Sequence, residues 1–311
     1  MDLQLSARRA LVTGASKGIG LATARMLALE GCDVTVNARD GQRLAETADA
    51  LGKESGRRIV AAPGDMSIES EAKAVVDRTV EALGGIDVLV TCAGSSPGGL
   101  LTELSEEDWL GSMRLKFLGY VRTVRHVIPH MLAQGSGSIV LVVGNDGLKP
   151  SYWELTAGAA NAADINFASS IAEQYGPLGI RVNTVNPGPV ATDRWDGLEK
   201  AFARDMEVSQ ERAHELALAS LPLRRICRPE EVASVVTFLA SPLASYVNGA
   251  HIPVDGAQRK PIMDVVAAFG GEVRVERAPE DGGTGSNGRH DLEPADRAAE
   301  APQSRVRSAA D

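Results

Sequence analysis

The sequence predicts an α/β protein built on an open, doubly wound parallel sheet of about seven strands, with helices on both faces. Three observations predict it. Short apolar runs alternate with longer helix-period segments along most of the 311 residues. The apolar runs are continuous rather than alternating, as strands are when a sheet is covered on both sides. The repeated strand-then-helix order implies right-handed crossovers between parallel neighbours.

Taken in order, the strand candidates are residues 10–13, 33–37, 58–62, 86–91, 138–143, 180–185 and 251–254. Helical patterns fill the gaps at 19–30, 42–55, 69–83, 106–134, 156–175 and 230–239. The first strand runs into Gly14-Ala15-Ser16-Lys17-Gly18-Ile19-Gly20, and an apolar-periodic helix follows at once. Gly14, Gly18 and Gly20 let the backbone turn sharply and lie against a ligand. The helix start presents unpaired N–H groups and positive partial charge, which suit a pyrophosphate. This is a Rossmann-type arrangement, in which ligands bind beyond the carboxyl ends of the strands.

Residues 187–228 break the strand–helix rhythm and carry Trp195, Phe202 and Met206 among helix formers. A small helical lid over the site, at about 191–228, is the expected use of so long an insertion. The expected domain is therefore 1–260. The remainder, 261–311, is glycine-rich, polar and poor in aromatic residues. It is expected to be mostly disordered, with at most one short helix at 262–269.

Composition narrows the function. A formal net charge of -9 argues against a nucleic-acid partner. No apolar run is long enough to cross a bilayer. The opening Met-Asp-Leu-Gln-Leu-Ser is too polar for a signal peptide. Three cysteines, Cys32, Cys92 and Cys227, show no paired or metal-ligand spacing. A cytoplasmic protein without a metal site is the expectation.

The second strand ends in Asn37-Ala38-Arg39. A carboxylate there would hold a ribose 2′-hydroxyl and repel a 2′-phosphate. With Ala38 in its place and Arg39 and Lys17 supplying positive charge, NADP is favoured over NAD, which stays possible.

Further motifs follow in order: Gly64-Asp65-Met66, Thr91-Cys92-Ala93-Gly94, Asn186-Pro187-Gly188-Pro189-Val190-Ala191-Thr192, and Gly249 through Gly256. With the glycine spacing of the first turn, they make the chain resemble the short-chain dehydrogenase/reductase family from about residue 5 to residue 256. The resemblance implies a carbonyl/alcohol oxidoreductase acting on a small molecule and assembled as a homodimer or homotetramer. It implies that Gly14, Ser16, Lys17, Gly18, Ile19 and Gly20 bind the cofactor, and that Asp65, with Met66 beside it, contacts the adenine. Ala93 and Gly94 would line the cofactor, and Pro187, Gly188, Val190 and Thr192 would approach the nicotinamide carboxamide.

The family's usual Asn, Ser, Tyr and Lys do not appear where the local context places them. Those positions hold Lys116, Val143-Gly144, Ala157 and Asn161. Asparagine and lysine types are thus exchanged between two helices that border one pocket. Lys116 is the candidate acid or electrophile, and Asn161 the candidate holder of the nicotinamide ribose. Tyr152 and Asn145 are candidate polar partners. Three readings stay open: a redox enzyme with a rewired acid/base group, a non-redox dehydratase, isomerase or lyase, and a silent NADP-binding protein.

Overall fold

The computed structural model describes residues 2–259. The expected extension from residue 261 onward, with its helix at 262–269, lies outside the described residues. A seven-stranded sheet forms the centre, in the order β3-β2-β1-β4-β5-β6-β7, with every pairing parallel. The strands are β1 (Arg9–Thr13), β2 (Asp33–Asn37), β3 (Ile59–Ala61), β4 (Val88–Thr91), β5 (Gly137–Val142), β6 (Ile180–Pro187) and β7 (His251–Val254). The order reverses between β1 and β4, and that reversal opens a crevice at the carboxyl ends.

Successive side chains on the central strands go to opposite layers, and both layers are buried. Ala10 and Val12 of β1 and Val88 and Val90 of β4 join the helices α1 (Gly18–Leu29), α2 (Gly41–Ser55) and α9 (Pro229–Ala240). Leu11, Leu89, Ile139 and Leu141 join α3 (Glu69–Leu83), α5 (Leu118–Gln134) and α6 (Leu155–Tyr175). Two-sided burial is why these strands read as unbroken apolar runs. Local signals set the helix ends. Asp40 accepts from the Arg43 N–H at the start of α2, and Gly56 closes it at φ +66°.

The helical pattern expected at 106–134 is not one regular helix. It comprises α4 (Glu106–Ser112), a π turn at Met113–Phe117, and α5. Across the turn the Leu118 N–H donates to the Met113 carbonyl, five residues back. The wider turn inserts a residue into the helical phase and redirects the side chains it carries, Lys116 among them. Periodicity over 106–134 cannot reveal so local a change. The insertion after β6 folds into α7 (Asp193–Asp205) and α8 (Gln210–Ser220), packed on each other through Phe202, Ala203, Ala213 and Ala217. Among the described residues no helix is long and apolar enough to cross a membrane.

The turn after β1 is set by backbone contact. A Cβ on Gly20 would lie 2.3 Å from the Gly14 carbonyl oxygen. One on Gly14, at φ +67°, would lie 2.8 Å from the Ala93 nitrogen. Gly56 has the same backbone hand but nothing within 4 Å of its Cβ position. Gly56→Ala is therefore expected to cost about 1 kcal/mol, the strain of the conformation alone. Gly14→Ala is expected to cost about 3 kcal/mol or more, because backbone must also move. Urea midpoints of the two variants check the difference; equal costs would show that the β1 turn yields freely.

Candidate active site

The cleft lies at the carboxyl ends of the central strands and has a volume of about 210 Å³. Its inner wall includes Ile19, Cys92, Gly94, Pro187, Gly188, Val190 and Thr192. Sequence reading placed all of these except Cys92 at the cofactor. The glycine turn closes one side: Gly14, Ser16, Lys17, Gly18 and Gly20 lead into α1, whose N-cap Lys17 is extended and makes no side-chain cap hydrogen bond. The first N–H groups of α1 thus have no capping side chain, which leaves them for an anionic ligand. Thr192 meets this turn, its Cγ2 lying 3.2 Å from where a Cβ on Gly18 would stand.

The groups expected at the adenine end are more widely placed. Arg39 is 75% exposed at its side chain and reaches only to 4.0 Å from Asp65. Asn37 takes no part in an open surface: its amide donates to the carbonyls of Ala62 and Gly64 and ties the ends of β2 and β3 together. Lys17 pairs with Asp193 of α7 at 3.0 Å. Met66 is 3% exposed, with its sulfur accepting from the Thr123 hydroxyl, so its side chain belongs to the core beneath α5. Ala93 packs on Gly14, which brings the β4 turn against the β1 turn.

The other end of the cleft holds Lys116, Gly144 and Asn161. Lys116 enters from the π turn and lays its stem over Gly94; a Cβ at 94 would lie 3.2 Å from Lys116 Cγ and 3.4 Å from Cε. Burial pushes the Lys116 ammonium below the ordinary lysine value. Asp146, Asp164 and Glu154 oppose that shift, and Arg194 adds to it. Gly144 stands where a serine was expected, and the space is already filled. A Cβ there would lie 2.4 Å from Asp146 Oδ1 and 2.6 Å from Asn161 Nδ2. Asn161 donates from Nδ2 to Asp146, while its Oδ1 is buried without a partner.

Asn145 lines the cleft with its amide committed, donating to Gln258 Oε1 at 2.8 Å. Lys149 anchors the same segment through Asp255. Tyr152 is not brought to the cleft wall; it packs in the aromatic cluster with Trp153, Trp195 and Phe202. Sequence reading missed Tyr120, which follows Lys116 by four residues and lines the cleft. Its hydroxyl donates to the Val142 carbonyl at 2.8 Å, and burial pushes it well above the ordinary phenol value. Tyr120 is thus a neutral, occupied donor. The outer wall comes from Trp153 and from Trp195, Leu198 and Phe202 of α7, with Arg194 reaching to 3.5 Å from the Ser96 carbonyl. Asp146 and Arg194 also went unread, since neither sits in a motif and each faces the cleft only through tertiary packing.

These residues fit a nicotinamide dinucleotide. An uncapped helix start behind a glycine turn suits a pyrophosphate, and the orphaned Asn161 Oδ1 is an acceptor for a ribose hydroxyl.

Comparison with known proteins agrees. The family model described as enoyl-(acyl carrier protein) reductase matches residues 14–257. The 3-oxoacyl-[acyl-carrier-protein] reductase of Thermotoga maritima is 35% identical over 257 residues, covering 82% of this chain and 98% of the relative. Cis-4-hydroxycyclohexanecarboxylate dehydrogenase of Sinomonas cyclohexanicum is 36% identical over 253 residues, covering 80% and 95%. The structure of L-sorbose reductase from Gluconobacter frateurii, complexed with NADPH and L-sorbose, superposes with a TM-score of 0.78 at 32% identity, covering 83% and 98%. The parallel sheet order, the glycine turn after β1 and these matches together place the chain in the short-chain dehydrogenase/reductase family.

Proposed function

We propose that the protein is an NADP(H)-dependent oxidoreductase that interconverts a small carbonyl compound and its alcohol, with Lys116 as the acid/base group. The observation that carries this reading is that the Lys116 side chain lines the cleft, its stem laid over Gly94, with Gly144 on the same wall. NADPH, when bound, supplies the hydride. Gly14 through Gly20 and the α1 N-terminus hold the pyrophosphate, Asp65 the adenine, and the Pro187–Val190–Thr192 segment the carboxamide. Asn161 Oδ1 accepts a ribose hydroxyl. Lys116 Nζ donates its proton to the carbonyl oxygen in reduction, and in oxidation the neutral amine takes the alcohol proton back. Tyr120 keeps its proton, donating its hydroxyl to the Val142 carbonyl, and takes no part.

Arg39 supports the NADP preference, because it is exposed, held only loosely by Asp65, and free to swing onto a 2′-phosphate. The helical insertion acts as the lid: Trp195, Leu198 and Phe202 wall off the substrate end and suit an apolar substrate body. The enzyme works in the cytoplasm, where Cys32, Cys92 and Cys227 stay reduced. It assembles as a homodimer or homotetramer through α5 and α6.

Four outcomes test this reading. Lys116→Met, which keeps the side-chain length, is expected to cut NADPH-dependent carbonyl reduction by ~10²-fold or more while NADPH still binds. Unchanged turnover in that variant would remove Lys116 from the chemistry. In the wild type, reduction requires the ammonium form. Its rate is therefore expected to fall as pH rises through a Lys116 pKa below the ordinary 10.5, with oxidation changing in the opposite sense. Arg39→Asp is expected to weaken NADPH by a few kcal/mol at most and to spare NADH, measured by calorimetric titration. Light scattering at micromolar concentration is expected to give a dimer or tetramer; a monomer would end the oligomer claim.

A further inference from the structure

Asp164 is the one charged residue in the buried stripe of α6 formed by Thr156, Ala157, Ala160, Asn161, Asp164 and Ala168. It is 0% exposed, and neither of its oxygens has a hydrogen-bond partner. A carboxyl group so placed is costly unless another charge compensates it. Among the described residues the charge that acts on it is that of Lys116, carried by the π turn packed against α6 without a hydrogen bond between the two. Lys116 in turn is faced by Asp146 behind β5, by Glu154 ahead of α6 and by Arg194 of α7. On the remaining side Asp164 faces the Tyr120 phenol of α5.

We propose that Asp164 is the positioning partner of Lys116: a carboxyl group buried in the α6 stripe, one helical turn past Asn161, whose negative charge favours the protonated lysine. The inference rests on the reading of Lys116 as the proton donor. Of the carboxylates near Lys116, Asp146 is engaged by the Asn161 amide. Asp164 alone is fully buried with both oxygens unengaged, so its charge acts on Lys116 through the least screening. Burial raises the Asp164 carboxyl to about 8, and Lys116 pulls it back. The two groups thus share protons: each favours the charged form of the other, and burial opposes both. When Lys116 delivers its proton to a carbonyl oxygen, the pair is one proton short. The missing proton returns to Nζ from the solvent side of the cleft, and the Asp164 charge favours that return.

The test is a titration that needs no turnover. In full-length protein carrying ¹³Cε-lysine, the Lys116 signal is identified by its loss in Lys116→Met. Its midpoint is expected to fall by about one pH unit or more in Asp164→Asn, as loss of an opposing charge requires. The alkaline limb of the reduction rate should move with it. An unchanged midpoint overturns the pairing, whatever the turnover. A shifted midpoint with unchanged turnover in Lys116→Met keeps the pair and removes the functional reading instead.

Urea unfolding between pH 5 and 8 gives a second measurement, usable even where Asp164→Asn alone folds poorly. Without Lys116 the folded-state Asp164 pKa rises further above its unfolded value of ~3.9, so the folded state holds a proton that the unfolded state has released. Lys116→Met is then expected to lose stability with rising pH more steeply than the wild type. The double variant Lys116→Met with Asp164→Asn should lack that extra slope. The same pH slope in all three proteins overturns the proposal.

Discussion

A parallel sheet covered on both faces leaves its strands no exposed side, and nearly everything in this protein depends on that constraint. Val12, Val90 and Val140 are sealed beneath α1 and α9, while Leu11, Leu89 and Leu141 are sealed beneath α3, α5 and α6. The backbone is saturated by its ladders, so no chemistry can be placed within the sheet. Only the strand ends are open. At the carboxyl ends, the order reversal between β1 and β4 separates the crossovers and makes room for a ligand. The close approach of Gly14 to Ala93 and of Gly20 to Gly14 then brings two turns and a helix start into one surface.

Within that crevice the polar groups form a set whose members make space for one another. Gly94 leaves room for the Lys116 stem, and Gly144 leaves room for the Asp146–Asn161 contact. Ala157 adds no bulk to the α6 stripe between them. A side chain at 144 would collide with both partners of that contact, so Gly144, Asp146 and Asn161 form one packed unit.

The two halves of the cleft are also tied mechanically. Thr192 sits on Gly18 and Asp193 pairs with Lys17, so the start of α7 is docked on the glycine turn. Arg194, next in sequence, turns to the substrate side and reaches toward Ser96. A bound anion at the glycine turn would compete with Asp193 for Lys17. The docking contact is an exposed ion pair, the kind that adds little to stability.

How much of this was legible in the sequence follows from the range of the interactions involved. Strand runs, helix periods and the glycine spacing are local, so the sheet and the glycine turn after β1 could be read directly. Arg39 and Lys17 could be recognised as cations, but that Lys17 meets Asp193 depends on how α7 docks, 176 residues away. Tyr152 and Tyr120 show the same limit. Tyr152 is close in sequence to the cleft but packs in the aromatic cluster with Trp153 and Trp195 without lining it. Tyr120 enters because the π turn shifts the phase of the helix that carries it. Asp164 lies three residues past Asn161 in an alanine-rich stripe, and sequence reading gave it no role. By itself the sequence determined the class of fold and the kind of cofactor, because those rest on neighbours along the chain. Only the tertiary structure decided which polar groups meet in the cleft, because helix phase and packing between distant elements set where each side chain points.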